Sequence, residues 1–276
     1  MRSILLPLCE PALDRHALAV GADLADRMDA QVTALLPLTD FASLPVFGHY
    51  PHTAGWDEFI EGTQASAERR EVEVGQALKE HERTSGSSTG LVLRTEYGND
   101  DAVVSRAALT HDLVLFARQS SDEDDPLPTS SLLKTTLETA GRPVLVVTDQ
   151  LAPGFAKAVA IAWNGSVEAA HAVTAAMPLL RRAERVDVLT FATSRTQASG
   201  AKELLGYLAR HGVAAEAHVH EPELSVGEEL VEEVESLSAD LLVMGGYTHS
   251  RLRQTLFGGV THHVLENARL PLLMAR

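Results

Sequence analysis

Short apolar runs alternate with longer amphipathic segments along the second half of the chain. The runs have the length of buried strands, whereas the segments between them repeat apolar residues three and four positions apart, which is typical of helices. The predicted strands are 159–163, 186–191, 214–220, 241–244 and 270–274. Because strands and helices alternate, the pattern predicts a parallel sheet with right-handed crossovers and helices on both faces.

Residues at the predicted helix ends agree with this interpretation. Asn164, Gly165 and Ser166 form a turn and an N-cap signal before a helix predicted over 167–182. Ser225 is followed three positions later by Glu228, the spacing of a capping box. These signals place the loops of the second half and therefore its candidate sites.

The first half repeats the same order of elements, with strands predicted near 3–8, 31–38, 90–96, 112–117 and 143–148. The run that begins at Asp112 resembles the run at Asp240, and the run around Pro143 resembles the run around Pro271. Both pairs are 128 positions apart, which indicates an internal repeat.

The repeat predicts two domains and an insertion. The starts of the halves match at a larger offset of about 155, so the first half carries roughly 27 extra residues, placed within 39–64. The predicted fold class is α/β, with two tandem doubly wound parallel five-stranded sheets. The predicted domains are 1–149 and 156–276, joined by a linker that contains proline and glycine.

Composition and charge exclude several classes of partner. The chain has 38 acidic and 23 basic residues and a formal charge of −15, so we expect no nucleic acid and no anionic membrane as partner. Cys9 is the only cysteine, which excludes an internal disulfide. No apolar run approaches the roughly 20 residues of a membrane span, and the apolar run at the N-terminus is too short for a signal peptide. The sequence therefore predicts a cytoplasmic protein.

The loops after the first and fourth strands of each half are the places to expect a ligand. In doubly wound sheets these loops meet where the winding direction reverses. In the second half they are 163–166 and 245–250, and the latter leads to Gly258 and Gly259 before a predicted helix. A glycine pair at a helix start leaves backbone N–H groups free to bind phosphate.

The run VMGGYTHSRLRQTLFGGVTHHVLENARLPLL resembles the C-terminal signature of the universal stress protein family. Nucleotide-binding members carry Gly-x2-Gly-x9-Gly-[Ser/Thr] there, and an aspartate after the first strand contacts adenine. The resemblance implies an adenine nucleotide α-hydrolase-like fold and, as ligand, ATP with Mg²⁺ or another adenine nucleotide. It aligns these motif positions, and two residues that often follow them, with Asn164, Gly245, Thr248, Gly258, Gly259, Val260 and Thr261.

Three of these positions depart from the family motif. Thr248 replaces a glycine, and a β-branched residue in a left-handed conformation there would cost about 1–2 kcal/mol. Gly259 lacks the motif's hydroxyl donor but keeps its backbone donor, and Asn164 replaces the aspartate with an amide that still forms hydrogen bonds. The second half therefore retains part of the motif.

The first half retains less of it. The positions 128 residues earlier than the glycine motif are Ala117, Ser120, Ser130 and Ser131, so both loop glycines are missing. The acidic run 122–125 between them would repel phosphate. The sequence predicts that this half is degenerate as a nucleotide site.

Histidine pairs suggest metal binding, but the sequence predicts no metal site. His262 and His263 are adjacent on a helix and point about 100° apart, so they do not easily share one ion. His218 and His220 alternate on one strand and share a face, but no carboxylate or cysteine pattern completes a ligand set.

We therefore expect a stress-responsive regulatory protein in the tandem form of the family, without catalytic residues. No phosphate-binding lysine loop, nucleophile elbow or zinc-peptidase motif is present. Two alternatives remain: a nucleotide-free interaction protein that binds a partner through the insertion, and a slow nucleotide hydrolase. The sequence identifies no protein partner, and it is compatible with a homodimer.

Overall fold

The computed structural model describes residues 1–9, 11–38, 56–85, 90–118, 128–149, 151, 154–192, 199–246 and 259–276. The strands in these ranges are β1 (Ser3–Pro7), β2 (Gln31–Leu38), β3 (Leu91–Tyr97), β4 (Leu113–Arg118), β5 (Val144–Thr148), β6 (Ala158–Ala162), β7 (Arg185–Phe191), β8 (Glu216–His220), β9 (Leu241–Gly245) and β10 (Leu272–Ala275). The helices are α1 (Asp14–Met28), α2 (Trp56–Ser85), α3 (Asp100–Ala108), α4 (Pro128–Thr135), α5 (Val167–Leu180), α6 (Ser199–Arg210), α7 (Val226–Ser236) and α8 (Gly259–Asn267), and a π-helical turn, Thr136–Ala140, follows α4.

The ten strands of the described residues form one sheet in the order β3-β2-β1-β4-β5-β10-β9-β6-β7-β8. Each half contributes five parallel strands in the order expected of a doubly wound sheet, which confirms the predicted fold class. The halves are joined by β5 and β10, which pair antiparallel with Leu273 opposite Leu145. The two predicted sheets are therefore continuous with each other.

Helices cover both faces of this sheet. One apolar cluster lies between the sheet and helices α1, α2, α5 and α6, and the other lies between the sheet and α3, α4, α7 and α8. Central strands such as β5 and β9 are apolar along almost their whole length because both of their faces are covered. The edge strand β8 instead consists of exposed and half-buried residues.

The repeat of Asp112 and Asp240 has a structural cause. Each aspartate precedes the fourth strand of its half and accepts hydrogen bonds from backbone N–H groups at the start of the first strand. Asp112 accepts from Arg2 at 2.6 Å and from Ser3 at 3.2 Å, and Asp240 accepts from Lys157 at 3.0 Å. The hydrogen bond from Arg2 is the main reason that the pKa of Asp112 lies below its ordinary value.

Most predicted elements are present, with small shifts at their ends. The third strand of the second half begins at Glu216 rather than 214, and the predicted helix 167–182 ends at Leu180. The capping box is confirmed, because the Ser225 hydroxyl and the Glu228 carboxylate each bind the other residue's backbone N–H. The bounds predicted for the two domains stay a prediction.

The predicted insertion, 39–64, lies partly outside the described residues. Its last part, from Trp56, belongs to α2, a helix of 30 residues that continues to Ser85. Val74 and Leu78 of α2 are buried in the core, whereas most of its other described residues are exposed or half-buried. No helix in the described residues has the length and apolar character needed to cross a membrane.

Candidate functional site

The strand order of the second half reverses between β6 and β9, which are neighbours in the sheet. Ala162 at the end of β6 lies beside Met244 of β9. Asn164 follows β6 by two residues, Gly245 ends β9 and Gly246 follows it. The structure therefore places Asn164 and Gly245 at one edge of the sheet, where ligands of doubly wound folds bind.

Asn164 is exposed and belongs to a tight turn. Its Oδ1 accepts a hydrogen bond from the backbone N–H of Ser166 at 3.0 Å, and Gly165 between them has φ of +72°. The Ser166 hydroxyl in turn accepts from the N–H of Ala169 at 3.1 Å and caps α5. The turn fixes the Asn164 amide, and no hydrogen bond among the described residues occupies its two N–H donors.

Gly245 lies directly against the first turn of α5. A Cβ atom at this position would be 2.7 Å from the backbone nitrogen of Ala169 and 3.0 Å from the carbonyl carbon of Glu168. Such contacts exclude any side chain unless the helix moves. The glycine therefore brings the start of α5 against the end of β9, and the next residue, Gly246, donates to Ala275 O at 2.8 Å.

Helix α8 begins at Gly259, and its first three residues have different surroundings. Gly259 is exposed, and a Cβ atom built on it would meet none of the described residues within 4 Å. Val260 is partly buried against the apolar cluster, and Thr261 is 6% exposed. Gly259 is thus the exposed residue of this turn, whereas Val260 and Thr261 are largely covered by protein.

The residues between β9 and α8 complete the predicted motif. Thr248 and Gly258 lie outside the described residues, as do Arg251 and Arg253, the basic residues nearest the motif in sequence. Of the seven predicted site residues, the structure brings Asn164 and Gly245 together at the crossover and puts Gly259, Val260 and Thr261 in the first turn of α8.

In the first half, a carboxylate of the protein itself lies at the equivalent helix start. Asp14 in the first turn of α1 is buried and forms an ion pair with Arg70 of α2. The neighbouring β1–β4 crossover ends in Ala117 and Arg118, and Ser120 lies outside the described residues. A buried carboxylate disfavours a bound phosphate at this helix end. That this half is degenerate as a nucleotide site stays a prediction.

Sequence analysis did not identify this ion pair or a second buried carboxylate, Asp187. An acidic residue in the first turn of a helix is common, so Asp14 gave no distinct signal, and its partner Arg70 is far away in sequence. Asp187 occupies a core-facing position of β7, where a charged residue is unusual. That position in a predicted strand is the signal that could have identified it.

Comparisons with known proteins agree with this architecture. A profile described as the universal stress protein family matches residues 142–276. A search of curated protein sequences finds no match to the chain.

Two solved structures share the fold over almost the whole chain. A universal stress protein from Archaeoglobus fulgidus aligns with a TM-score of 0.72 and 13% identity, covering 98% of this chain and 97% of that one. A functionally unknown protein from Pseudomonas aeruginosa aligns with a TM-score of 0.59 and 16% identity, covering 99% of this chain and 92% of that one. At these identities the likeness shows the fold alone.

The family match covers the half that holds the candidate site, and the structural matches cover both halves. Residues 142–276 of this chain therefore form a domain of the universal stress protein family, within a two-half fold that the archaeal universal stress protein shares.

Proposed function

We propose that this chain is a stress-responsive regulatory protein that binds an adenine nucleotide at the β6–β9 crossover and has no dedicated catalytic residues. The observation that carries the proposal is the convergence of the Asn164 turn and the Gly245 contact at one edge of the sheet. Asn164 would meet the base. The exposed backbone at the start of α8 would bind phosphate together with the positive end of the helix dipole.

The residues present fit an anionic ligand. No described residue fills the space beside Gly259, and its N–H is among those at the helix start that lack an intrahelical partner. In the described part of α8, the first turn carries no acidic side chain. The predicted ligand is ATP, with Mg²⁺ as the counterion of its phosphates.

Calorimetric titration of the wild-type chain with ATP and Mg²⁺ tests the proposal, together with Gly259→Asp and Gly259→Ser. We expect about one site per chain in the wild type. The aspartate should weaken binding at least about tenfold through charge repulsion, yet raise the stability of α8 by about 0.3–1 kcal/mol, since a negative charge suits a helix start. The serine restores the motif's hydroxyl and should bind as well as the wild type or better.

The outcomes separate the proposal from its alternatives. No binding heat from correctly folded wild type would remove ATP as ligand, and equal affinity in Gly259→Asp would place the nucleotide elsewhere. Release of ADP or phosphate over hours of incubation would favour the slow hydrolase. Correct folding is checked by circular dichroism in each case.

One observation favours the interaction protein as second candidate. The outer face of α2 forms a shallow groove lined by Gly62, Ala65, Glu68, Arg69, Val72 and Glu73. Val72 in this groove is 57% exposed. If ATP does not bind, the outer face of α2 is the first surface to test for a protein partner. This face includes the last part of the predicted insertion.

A further inference from the structure

Three side chains that commonly bind metals meet near the amino ends of β7 and β8, at the opposite end of the strands from the candidate nucleotide site. They are Asp187 of β7 with Glu216 and His218 of β8, and one ligand atom from each lies within 4.8 Å of the other two. We propose that these residues form a binding site for a divalent transition metal ion of the zinc class.

The strand register accounts for the grouping. Asp187 is paired directly with Glu216 across the two parallel strands. His218 is two residues further along β8 and therefore projects from the same face of the sheet as Glu216. Because β8 is the edge strand, Glu216 is exposed and His218 is partly exposed, so an ion can reach the group from solvent.

Asp187 is oriented as a metal ligand would be. Its side chain is 3% exposed, and its Oδ2 accepts a hydrogen bond from Arg185 Nε at 2.8 Å. The Arg185 guanidinium also donates to the carbonyl of Leu237 at the end of α7. This leaves Oδ1 of Asp187 directed at His218. Hydrogen bonds of this kind to the distal oxygen of a carboxylate are typical of the outer shell of metal sites.

The distance between the ligand atoms suits a small ion. Oδ1 of Asp187 and Nε2 of His218 are 3.0 Å apart. Zinc bonds of about 2.0–2.2 Å in tetrahedral geometry separate two ligand atoms by roughly 3.3 Å. The pair therefore needs to widen by only a few tenths of an ångström, and the exposed Glu216 side chain can turn toward the ion. The fourth position would hold water.

The charges around the group favour a cation. With a neutral imidazole, two carboxylates face one arginine, which leaves a net negative charge. The described residues of α7, which packs over this face, carry five glutamates and no basic residue. One of these, Glu233, lies 3.8 Å from Nε2 of the next histidine, His220. An imidazole with two carboxylates favours zinc and related transition metals over magnesium or calcium.

The sequence analysis found no carboxylate partner for His218, and the structure supplies one. Asp187 lies 31 positions earlier, on the neighbouring strand. Only the register of β7 and β8 shows that the two residues meet, because a strand pattern fixes the face of a residue but not its neighbour.

Titration with zinc chloride tests the proposal on untagged, full-length protein freed of metal with EDTA, without nucleotide. We expect one ion per chain with micromolar or tighter affinity. Glu216→Gln and His218→Gln should each weaken binding at least about tenfold, since even outer-shell changes commonly have effects of that size. Glu216 is exposed, so its variant should keep the wild-type melting temperature in EDTA.

His262→Gln is the matched control. Nε2 of His262 also lies 3.1 Å from a carboxylate oxygen, Oε1 of Glu266. This exposed pair is not part of a three-ligand group in the described residues. Its loss should leave the zinc affinity unchanged. With Co²⁺ as probe, the wild type and this control should show the visible absorption of a low-coordinate ion, and His218→Gln should not.

Two results would overturn the proposal. One is the absence of saturable zinc binding by the wild type, in which case Asp187, Arg185 and His218 form a purely structural ion-pair group. The other is an affinity that neither Glu216→Gln nor His218→Gln lowers. Both outcomes are independent of ATP binding, so the metal site and the nucleotide site succeed or fail separately.

Discussion

Two glycines of the candidate site meet opposite requirements. Gly245 is fixed by contact, because the first turn of α5 leaves no room for a Cβ atom. At the start of α8, no described residue lies close enough to Gly259 to require a glycine there. The family motif has a glycine at the position of Gly245 and a serine or threonine at the position of Gly259. The packing around each residue therefore agrees with the motif.

We expect Gly245→Ala to lower the free energy of unfolding by about 1–3 kcal/mol, since the added methyl group displaces the backbone of α5. Gly259→Ala should be neutral or stabilise by up to about 1 kcal/mol, because alanine favours a helix more than glycine does. Urea denaturation of both variants measures the difference. Equal effects would mean that α5 moves away from β9 without loss of stability.

Single residues were predicted unevenly from the sequence. Asn164 and Gly245 were predicted as site residues because the linear pattern places them after strand ends and the resemblance aligns them with the family motif. The ion pair of Asp14 with Arg70 and the contact of Asp187 with His218 were not, because each joins residues on different elements. Hydrophobic periodicity assigns a residue to a face, whereas its partner depends on packing.

At the scale of elements, α8 links the candidate site to the other half of the chain. Its first turn lies at the candidate site, and its last turn contacts Arg118, which comes from β4 in the other half. The guanidinium of Arg118 is buried and donates to the carbonyls of Leu265 and Ala268. Burial lowers the pKa of Arg118, but a buried cation at the negative end of a helix is favourable.

Arg118→Met should lower the free energy of unfolding by about 2–4 kcal/mol, because it removes a buried cation from a helix end and leaves two carbonyls without their donor. Arg142→Met is the matched control. Arg142 donates to the carbonyl of Leu109 at the end of α3 at 2.6 Å, but in an exposed position. Its loss should cost less than about 1 kcal/mol. Guanidinium denaturation measures the loss of unfolding free energy in each variant. Similar losses in Arg118→Met and Arg142→Met would contradict a special role of Arg118.

The order of elements was predictable, but some of their ends were not. Buried strands such as β4 and β9 are continuous apolar runs, which the sequence shows directly. The edge strand β8 has a mixed pattern and begins two residues later than predicted, because only one of its sides pairs with another strand. The contact of Arg118 with α8 joins the two halves, and the sequence of neither half predicts it.

At the scale of the molecule, the two halves share one sheet and both cores. The antiparallel pairing of β5 with β10 continues the sheet from one half to the other. Each apolar cluster draws residues from both halves: Leu145 and Leu273 belong to one, and Val146 and Leu272 belong to the other. The internal repeat predicted two similar units, but it could not show that their last strands pair.

We therefore expect the chain to unfold in a single cooperative transition. Its two tryptophans, Trp56 and Trp163, lie one in each half, so Trp56→Phe leaves a fluorescence probe of the second half alone and Trp163→Phe one of the first. In each variant, the fluorescence midpoint in urea should coincide with the midpoint from circular dichroism, which reports both halves. Trp163 donates to Gly200 O at 3.0 Å, so its variant should unfold at lower urea, but still in one step. Two separated transitions would show that the β5–β10 pairing and the shared cores do not couple the halves.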